Sequence, residues 1–153
     1  MLGLFDRLRP RPQPLPAADS PPSNDLERAV QGAIDGSGSF ETFLSSLLGS
    51  KVFLLLEGES PANPDSAEKR PLVLPSSAGI PSVCVFTSPD RSLEIQRVNP
   101  THRTGILVEF RWVLQVIPPD LGIVLNPGSR LSLEQPPEGV ARLKADLASN
   151  SAR

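Results

Sequence analysis

The sequence predicts a single α/β domain, with an α+β arrangement as the alternative, in which a mixed sheet of about four to six short strands packs against helices. Three observations lead to this prediction. The length of 153 residues fits one domain. Stretches with helical spacing of apolar residues lie between short apolar runs typical of strands. The 18 prolines and 11 glycines break the chain into short elements.

Two amphipathic helices are predicted at the start of the folded part, which we place at residues 24–150. Asn24 is a favourable N-cap, and apolar residues then recur at helical spacing as far as Gly36. Ser39 is the N-cap of a second helix, and its apolar stripe continues to Gly49. The apolar run that follows predicts a strand covered on both faces.

The middle of the chain predicts a polar surface loop over 57–70 and then a hairpin. Its two strands are residues 72–74 and 82–86. A helix is predicted to begin after them, with Ser88 as its N-cap and Pro89 in the first helical position, where the missing N–H is tolerated.

Residues 105–117 carry two conflicting patterns. Val108, Phe110 and Trp112 alternate with charged residues as in a strand, whereas Leu107, Phe110 and Leu114 recur at helical spacing. We predict a helix, because the pattern is long and ends at two consecutive prolines. A strand is the alternative.

The last third of the chain predicts two strands, over 121–125 and 131–134, and a C-terminal helix that begins near Pro137. Between the strands, Asn126-Pro-Gly-Ser fits a type II turn in which Gly128 supplies the positive φ.

Residues 1–23 predict a proline-rich, flexible tail, because they hold six of the 18 prolines and little apolar surface. Four apolar residues at its start, followed by arginines, could form a short amphipathic helix that docks on a partner or touches an anionic membrane surface. These four residues are Leu2, Leu4, Phe5 and Leu8.

Composition argues against several classes of protein. The net charge of −2 is not that of a nucleic-acid-binding domain. A single cysteine and a single histidine do not make a metal-ligand set, and one cysteine cannot form an internal disulfide. The longest apolar runs are far shorter than a membrane span of ~20 residues. We therefore expect a cytoplasmic protein that binds no metal or cofactor.

Five residues are candidates for binding. Asn126, Ser129 and Arg130 would place an amide, a hydroxyl and a guanidinium at the carboxyl edge of the sheet, where open α/β folds bind ligands; the turn itself is the structural alternative. Arg111 and Trp112 are residue types common at protein interfaces, although a tryptophan in an apolar segment also suits the core.

Cys84 and His102 are the residues on which catalysis would have to depend. Cys84 lies between two valines in a predicted strand, which favours a structural thiol over a reactive one. His102 lies in a polar loop, where a general base is less expected than a solvated side chain.

Three segments together resemble the N-terminal domain of the SseB family, which is named for enhanced serine sensitivity. They are Val85-Phe-Thr-Ser-Pro-Asp, Leu121-Gly-Ile-Val-Leu-Asn-Pro-Gly-Ser and the Pro-Glu start of the last helix. The resemblance covers roughly residues 25–148. It implies a small cytosolic α/β domain without catalytic residues.

These observations favour a non-enzymatic protein-interaction module. The alternative is a domain that senses a small ligand such as an amino acid, through the turn at Asn126 and Arg111. A weaker alternative is thiol or sulfurtransferase chemistry at Cys84.

Overall fold

The computed structural model describes residues 20–57, 70–102 and 104–151. The helices are α1 (Asp25–Asp35), α2 (Phe40–Leu48), α3 (Leu93–Val98), α4 (Phe110–Val116) and α5 (Pro137–Ser151), with a 3-10 helix at Pro89–Ser92. The strands are β1 (Lys51–Leu56), β2 (Val73–Pro75), β3 (Pro81–Val85), β4 (Thr104–Glu109), β5 (Gly122–Leu125) and β6 (Leu133–Gln135). The predicted loop at 57–70 lies mostly outside the described residues.

Local side-chain caps begin the first two helices as predicted. Asn24 Oδ1 accepts from the Glu27 N–H at 2.7 Å, and Ser39 Oγ accepts from the Thr42 N–H at 3.0 Å. Gly36 ends α1 in the left-handed region, at φ 81°. Both predicted N-caps are confirmed.

The described strands form two sheets. β1 and β4 make an antiparallel two-stranded ribbon, and the other four strands lie in the order β2-β3-β5-β6, of which only β3 and β5 are parallel. The ribbon joins the larger sheet where Phe53 exchanges both of its main-chain hydrogen bonds with Phe86, at 2.8 and 2.9 Å. Because antiparallel pairs dominate, the fold is α+β, which the sequence left open as the alternative to α/β.

Apolar side chains fill both faces of the larger sheet. On one face, α1, α2, α4 and α5 pack on β1, β3 and β5 around buried residues such as Val30, Phe110 and Leu125. The other face carries a smaller cluster, to which α3 contributes Ile95. The buried members of that cluster are Leu55, Leu72, Cys84, Phe86 and Val124.

The prediction of one helix over 105–117 is wrong for its first half. Residues 104–109 form β4, and the helix occupies only 110–116. Along β4, Ile106 and Val108 are half-buried while Leu107 and Glu109 are exposed, which is the period of a strand. Pairing with β1 therefore overrides the helical spacing until Phe110, where the chain turns into the core.

Two further predictions need correction. The last strand begins at Leu133, two residues later than predicted, because Leu131 is buried in the turn before it. A helix does follow Ser88, but its first turn is a 3-10 helix, and the Ser88 side chain bonds Glu27 rather than capping it. The β2–β3 hairpin is confirmed, and Gly128 has the φ of 79° that a type II turn requires.

Candidate functional site

A buried ion pair lies at the carboxyl end of β3. Glu27 of α1 and Arg91 of the 3-10 helix have side chains that are 0% and 2% exposed. Arg91 Nε donates to Glu27 Oε2 and Arg91 Nη2 donates to Glu27 Oε1, both at 3.0 Å. This bidentate geometry is the strong form of a charge-assisted hydrogen bond.

Neighbouring donors complete the coordination of the Glu27 carboxylate. Ser23 donates to Oε1 from its N–H and its hydroxyl, each at 2.9 Å. The hydroxyls of Thr87 and Ser88 donate to Oε2 at 2.5 and 3.2 Å. Arg91 Nη2 also donates to the Pro21 carbonyl at 3.0 Å, so the pair fastens the segment before α1 to the loop after β3.

The carboxylate is held ionised. Burial on its own raises the pKa of Glu27, but the donors from Arg91, Thr87 and Ser23 outweigh it and lower the pKa to about 2 from an ordinary value of 4.5. Glu27 is therefore an anion at neutral pH, matched by the guanidinium.

Asn126 extends this network to the end of β5. Its Oδ1 accepts from the Thr87 N–H at 2.9 Å, and its Nδ2 donates to the Thr87 hydroxyl and to the Leu131 carbonyl, both at 3.0 Å. The Thr87 hydroxyl thus accepts from Asn126 and donates to Glu27. Asn126 is 0% exposed, so its amide is engaged in holding the turn.

Of the other predicted binding residues, Ser129 shares the turn with Asn126, and its N–H donates to the Asn126 carbonyl at 3.1 Å. Ser129 is half-buried and its hydroxyl accepts from the Leu131 N–H at 3.1 Å, while Arg130 is exposed. In α4, the exposed Arg111 donates from Nε to the Leu48 carbonyl at 2.9 Å, and Trp112 packs half-buried against the larger core cluster. Leu2, Leu4, Phe5 and Leu8 lie outside the described residues.

The structure places Cys84 in the core and His102 in a loop. Cys84 is fully buried, and burial raises the pKa of its thiol to about 12. His102 is half-buried in its loop, where Nδ1 lies 3.1 Å from the Thr101 hydroxyl. Over residues 20–57, 70–102 and 104–151, no three metal-ligating side chains come together, and no helix has the length and apolar character of a membrane span.

The inertness of Cys84 can be measured directly. Because the thiolate is the reactive form, we expect a disulfide reagent to modify the native chain at pH 8 at least ~100-fold more slowly than the same chain in urea. The absorbance of the released aromatic thiolate follows the reaction. Equal rates in the two conditions would show that the thiol is accessible in the folded protein.

Two surface cavities lie between helices. One of about 340 Å³ lies between α4 and α5 and includes Leu114 and Lys144. The amine of Lys144 donates to the Ile117 carbonyl at 2.8 Å. A second cavity, of about 270 Å³, lies between α2 and α5. Neither of these two cavities contains a residue of the predicted ligand site.

The outer edge of the ribbon presents apolar surface to solvent. Leu107 is 60% exposed, and Phe53, opposite it on β1, is half-buried. The ring of Phe53 covers Gly105, since a Cβ at that position would lie 1.9 Å from Phe53 Cζ. We call the residues Gly105, Leu107 and Glu109 the β4 edge.

The main-chain groups of the β4 edge point away from β1. Phe53 uses its N–H and its carbonyl for Phe86, so the pair Phe53–Leu107 is not hydrogen-bonded. The Phe110 N–H, three residues after Leu107, donates to the Ser50 carbonyl at 3.0 Å. The main-chain groups therefore alternate in direction, and those of Phe110 point toward β1 while those of Leu107 point away. The N–H and C=O groups of the β4 edge therefore face outward, and within the described part of the chain they bond no other residue.

Within the described part of the chain, the β4 edge has little of the usual protection of an edge strand, since Glu109 is its one charged residue. Natural proteins guard such strands with lysine, proline, bulges or covering loops. Residues 104–108 contain no charged residue and no proline, and the register with β1 is continuous from Thr104 to Glu109. The edge is thus a template on which another strand can pair.

Neither the Glu27–Arg91 pair nor the β4 edge was predicted from the sequence. One signal for Glu27 was present, because a glutamate three residues after an N-cap asparagine is a capping-box pattern. Here its carboxylate bonds Ser23, just before the N-cap, and the distant Arg91. No local pattern marks Arg91 as its partner.

Comparison with known proteins identifies a protein family. No curated protein and no solved structure matches this chain. The family model of the SseB protein N-terminal domain matches residues 26–142, which include every described strand, α2 to α4 and all of α1 except Asp25. The chain therefore belongs to the SseB family, through its N-terminal domain.

Proposed function

We propose that this SseB-family domain is a non-enzymatic protein-interaction module that binds an extended polypeptide segment by adding it as a strand to β4. The observation that carries the proposal is the β4 edge, where main-chain groups that bond no other described residue lie beside the exposed side chain of Leu107. Strand addition is an established way of recognising peptides, in which the main chain supplies affinity and alternate side chains supply specificity.

The surface beside the β4 edge defines the kind of segment it suits. On the outer face, Leu107 and Phe53 offer apolar contact, and Lys51 lies opposite Glu109. An added strand would place every second side chain on this face. We expect a segment with a β-branched or aromatic residue opposite Leu107 and few negative charges near Glu109, since like charges directly opposite destabilise strand pairing.

The remaining chemistry supports binding rather than turnover. The Cys84 thiol is buried with a raised pKa, and the Glu27–Arg91 pair is used to join two segments of the fold. The amide of Asn126 is bonded on both sides, so it offers little to an amino-acid ligand. These contacts do not favour the thiol-enzyme and ligand-sensing alternatives.

A proline substitution tests the proposal with little disturbance of the fold. Leu107→Pro removes an outward N–H, a change that edge strands tolerate, whereas Leu107→Thr keeps the N–H and changes only the side chain. Peptides selected on the full chain from a random library are expected to bind Leu107→Pro at least ~10-fold more weakly than wild type. Leu107→Thr should lose less affinity than Leu107→Pro.

Two readouts decide the outcome. Circular dichroism and the melting temperature show whether each variant is folded, and Leu107→Lys replaces the proline variant if the latter is not. Amide chemical shifts in NMR locate the bound peptide, and we expect the largest changes at residues 104–109. Unchanged affinity of folded Leu107→Pro, or shifts confined to another surface, would refute strand addition at β4.

A further inference from the structure

We infer that the segment bound by the β4 edge is the β4 edge of a second copy of this chain, paired antiparallel about a two-fold axis at Leu107. The inference rests on the proposed strand addition at β4 and names its partner. It follows from the direction of the main-chain groups, from the side chains that each register would bring together, and from the charge at the end of the strand.

The outward main-chain groups determine the register. Within Thr104–Glu109, the residues whose N–H and C=O groups face away from β1 are Gly105, Leu107 and Glu109. If Leu107 lies opposite its own copy, Gly105 lies opposite Glu109 of the second chain, and each outward N–H meets an outward carbonyl. A shift of two residues toward α4 would place Gly105 opposite residue 111, which is helical. The centred register therefore uses the whole edge.

The side chains are self-complementary in this register. On the outer face, the two Leu107 side chains meet, flanked by Phe53 of each chain, so an apolar row crosses the shared sheet. On the inner face, Ile106 lies opposite Val108 of the second chain, and both are β-branched residues that suit cross-strand contact. Pairing would remove the 60%-exposed Leu107 from water.

The charges also permit pairing. Glu109 is the one charged residue of β4, and in this register it lies opposite a glycine rather than opposite its own copy. Lys51, its partner on β1, stands on the same face. No pair of like charges is thus placed directly opposite, which is the arrangement that would oppose self-association.

The interface is small, so the association should be weak and depend on concentration. Sedimentation velocity on the full chain, over concentrations on the order of 10 μM to 1 mM, is expected to show the mass rising from 16.4 kDa toward twice that value. Leu107→Pro, checked to be folded, should remain at the monomer mass throughout. A wild-type chain that stays monomeric, or a proline variant that dimerises equally well, would overturn the inference.

Cysteine cross-linking tests the register independently of the proline variant. In the centred register the Cα atoms at position 107 are about 5.5 Å apart, within the range of a disulfide, whereas those at position 109 are about 14 Å apart. Leu107→Cys should therefore form a disulfide-linked dimer under mild oxidation and Glu109→Cys should not. The buried Cys84 does not compete.

The results separate this inference from the proposed function. Cross-linking at both positions to the same extent would indicate random collision and refute the register. The wild-type chain could fail to dimerise and Leu107→Cys fail to cross-link, while Leu107→Pro still weakens the binding of selected peptides. That outcome would refute the second copy as the partner and leave strand addition of another protein in place.

Discussion

Replacing Arg91 with methionine is expected to lower the free energy of unfolding by about 3–5 kcal/mol at neutral pH. The substitution leaves the Glu27 carboxylate, which is 0% exposed, without the guanidinium that donates to both of its oxygens. It also removes the bond to the Pro21 carbonyl, and with it part of the attachment of the segment before α1. Urea unfolding of the full chain, followed by circular dichroism, measures the loss.

An exposed ion pair provides the matched control. Arg97 and Glu94 also form a pair, but their side chains are 75% and 45% exposed. Arg97→Met should therefore change the free energy of unfolding by less than about 1 kcal/mol. If Arg91→Met lowered the free energy of unfolding no more than Arg97→Met, burial of the Glu27–Arg91 pair would not contribute to stability.

A double-mutant cycle separates the ion pair from the packing around it. Glu27→Gln removes the charge of the carboxylate while keeping its shape, and combined with Arg91→Met it leaves neither charge unpaired. The double variant should lose clearly less free energy of unfolding than the sum of the losses in the two single variants. Each single change leaves a buried charge without its partner, whereas the double change does not. Strict additivity would indicate that the two side chains act independently.

The parts of the fold that follow from local chemistry were predictable from the sequence. Asn24 and Ser39 cap their helices through bonds to residues three positions later, and Gly36 ends α1 in a conformation that glycine adopts without strain. Gly128 takes the positive φ of its turn for the same reason. Each of these features depends on a few consecutive residues.

The strand at 104–109 was not predictable in this way. Its residues fit a helix and a strand equally well over short windows, and the choice depends on β1, about 50 residues earlier in the chain. Once Val52 and Leu54 pair with Val108 and Ile106, the side chains of Ile106 and Val108 face the core. Because successive side chains of a strand point to opposite faces, Leu107 then lies on the outer face.

The candidate sites were missed for a related physical reason. Glu27 and Arg91 are 64 residues apart, and in sequence each resembles an ordinary charged residue in the first turns of a helix. A structural role in the turn was the alternative considered for Asn126, and its amide does bond the Leu131 carbonyl, but its link to Thr87 spans 39 residues. The family resemblance, by contrast, could be read from short segments, and the family match confirms it.

Acid should remove the stabilisation that Glu27 provides. The folded pKa of Glu27 is about 2 and its ordinary value is 4.5, so between these values the unfolded chain binds a proton that the folded chain does not. Stability from this group is complete above pH 4.5 and falls as the pH approaches 2. This difference in pKa corresponds to about 3 kcal/mol in the free energy of unfolding, since one pKa unit is about 1.4 kcal/mol.

Comparing the acid dependence of two variants isolates the contribution of Glu27. Asp35 and Glu134 also have lowered pKa values, through hydrogen bonds from Ser37 and Ser77, and they weaken the folded state in acid in the same direction. Both are exposed, so Asp35→Asn should keep nearly all of the wild-type loss between pH 7 and pH 2.5. In Glu27→Gln, or in its combination with Arg91→Met if the single variant is too unstable, most of the loss should be absent. An equally steep decline in the Glu27 variant would place the acid sensitivity in other carboxylates and contradict the role assigned to this buried pair.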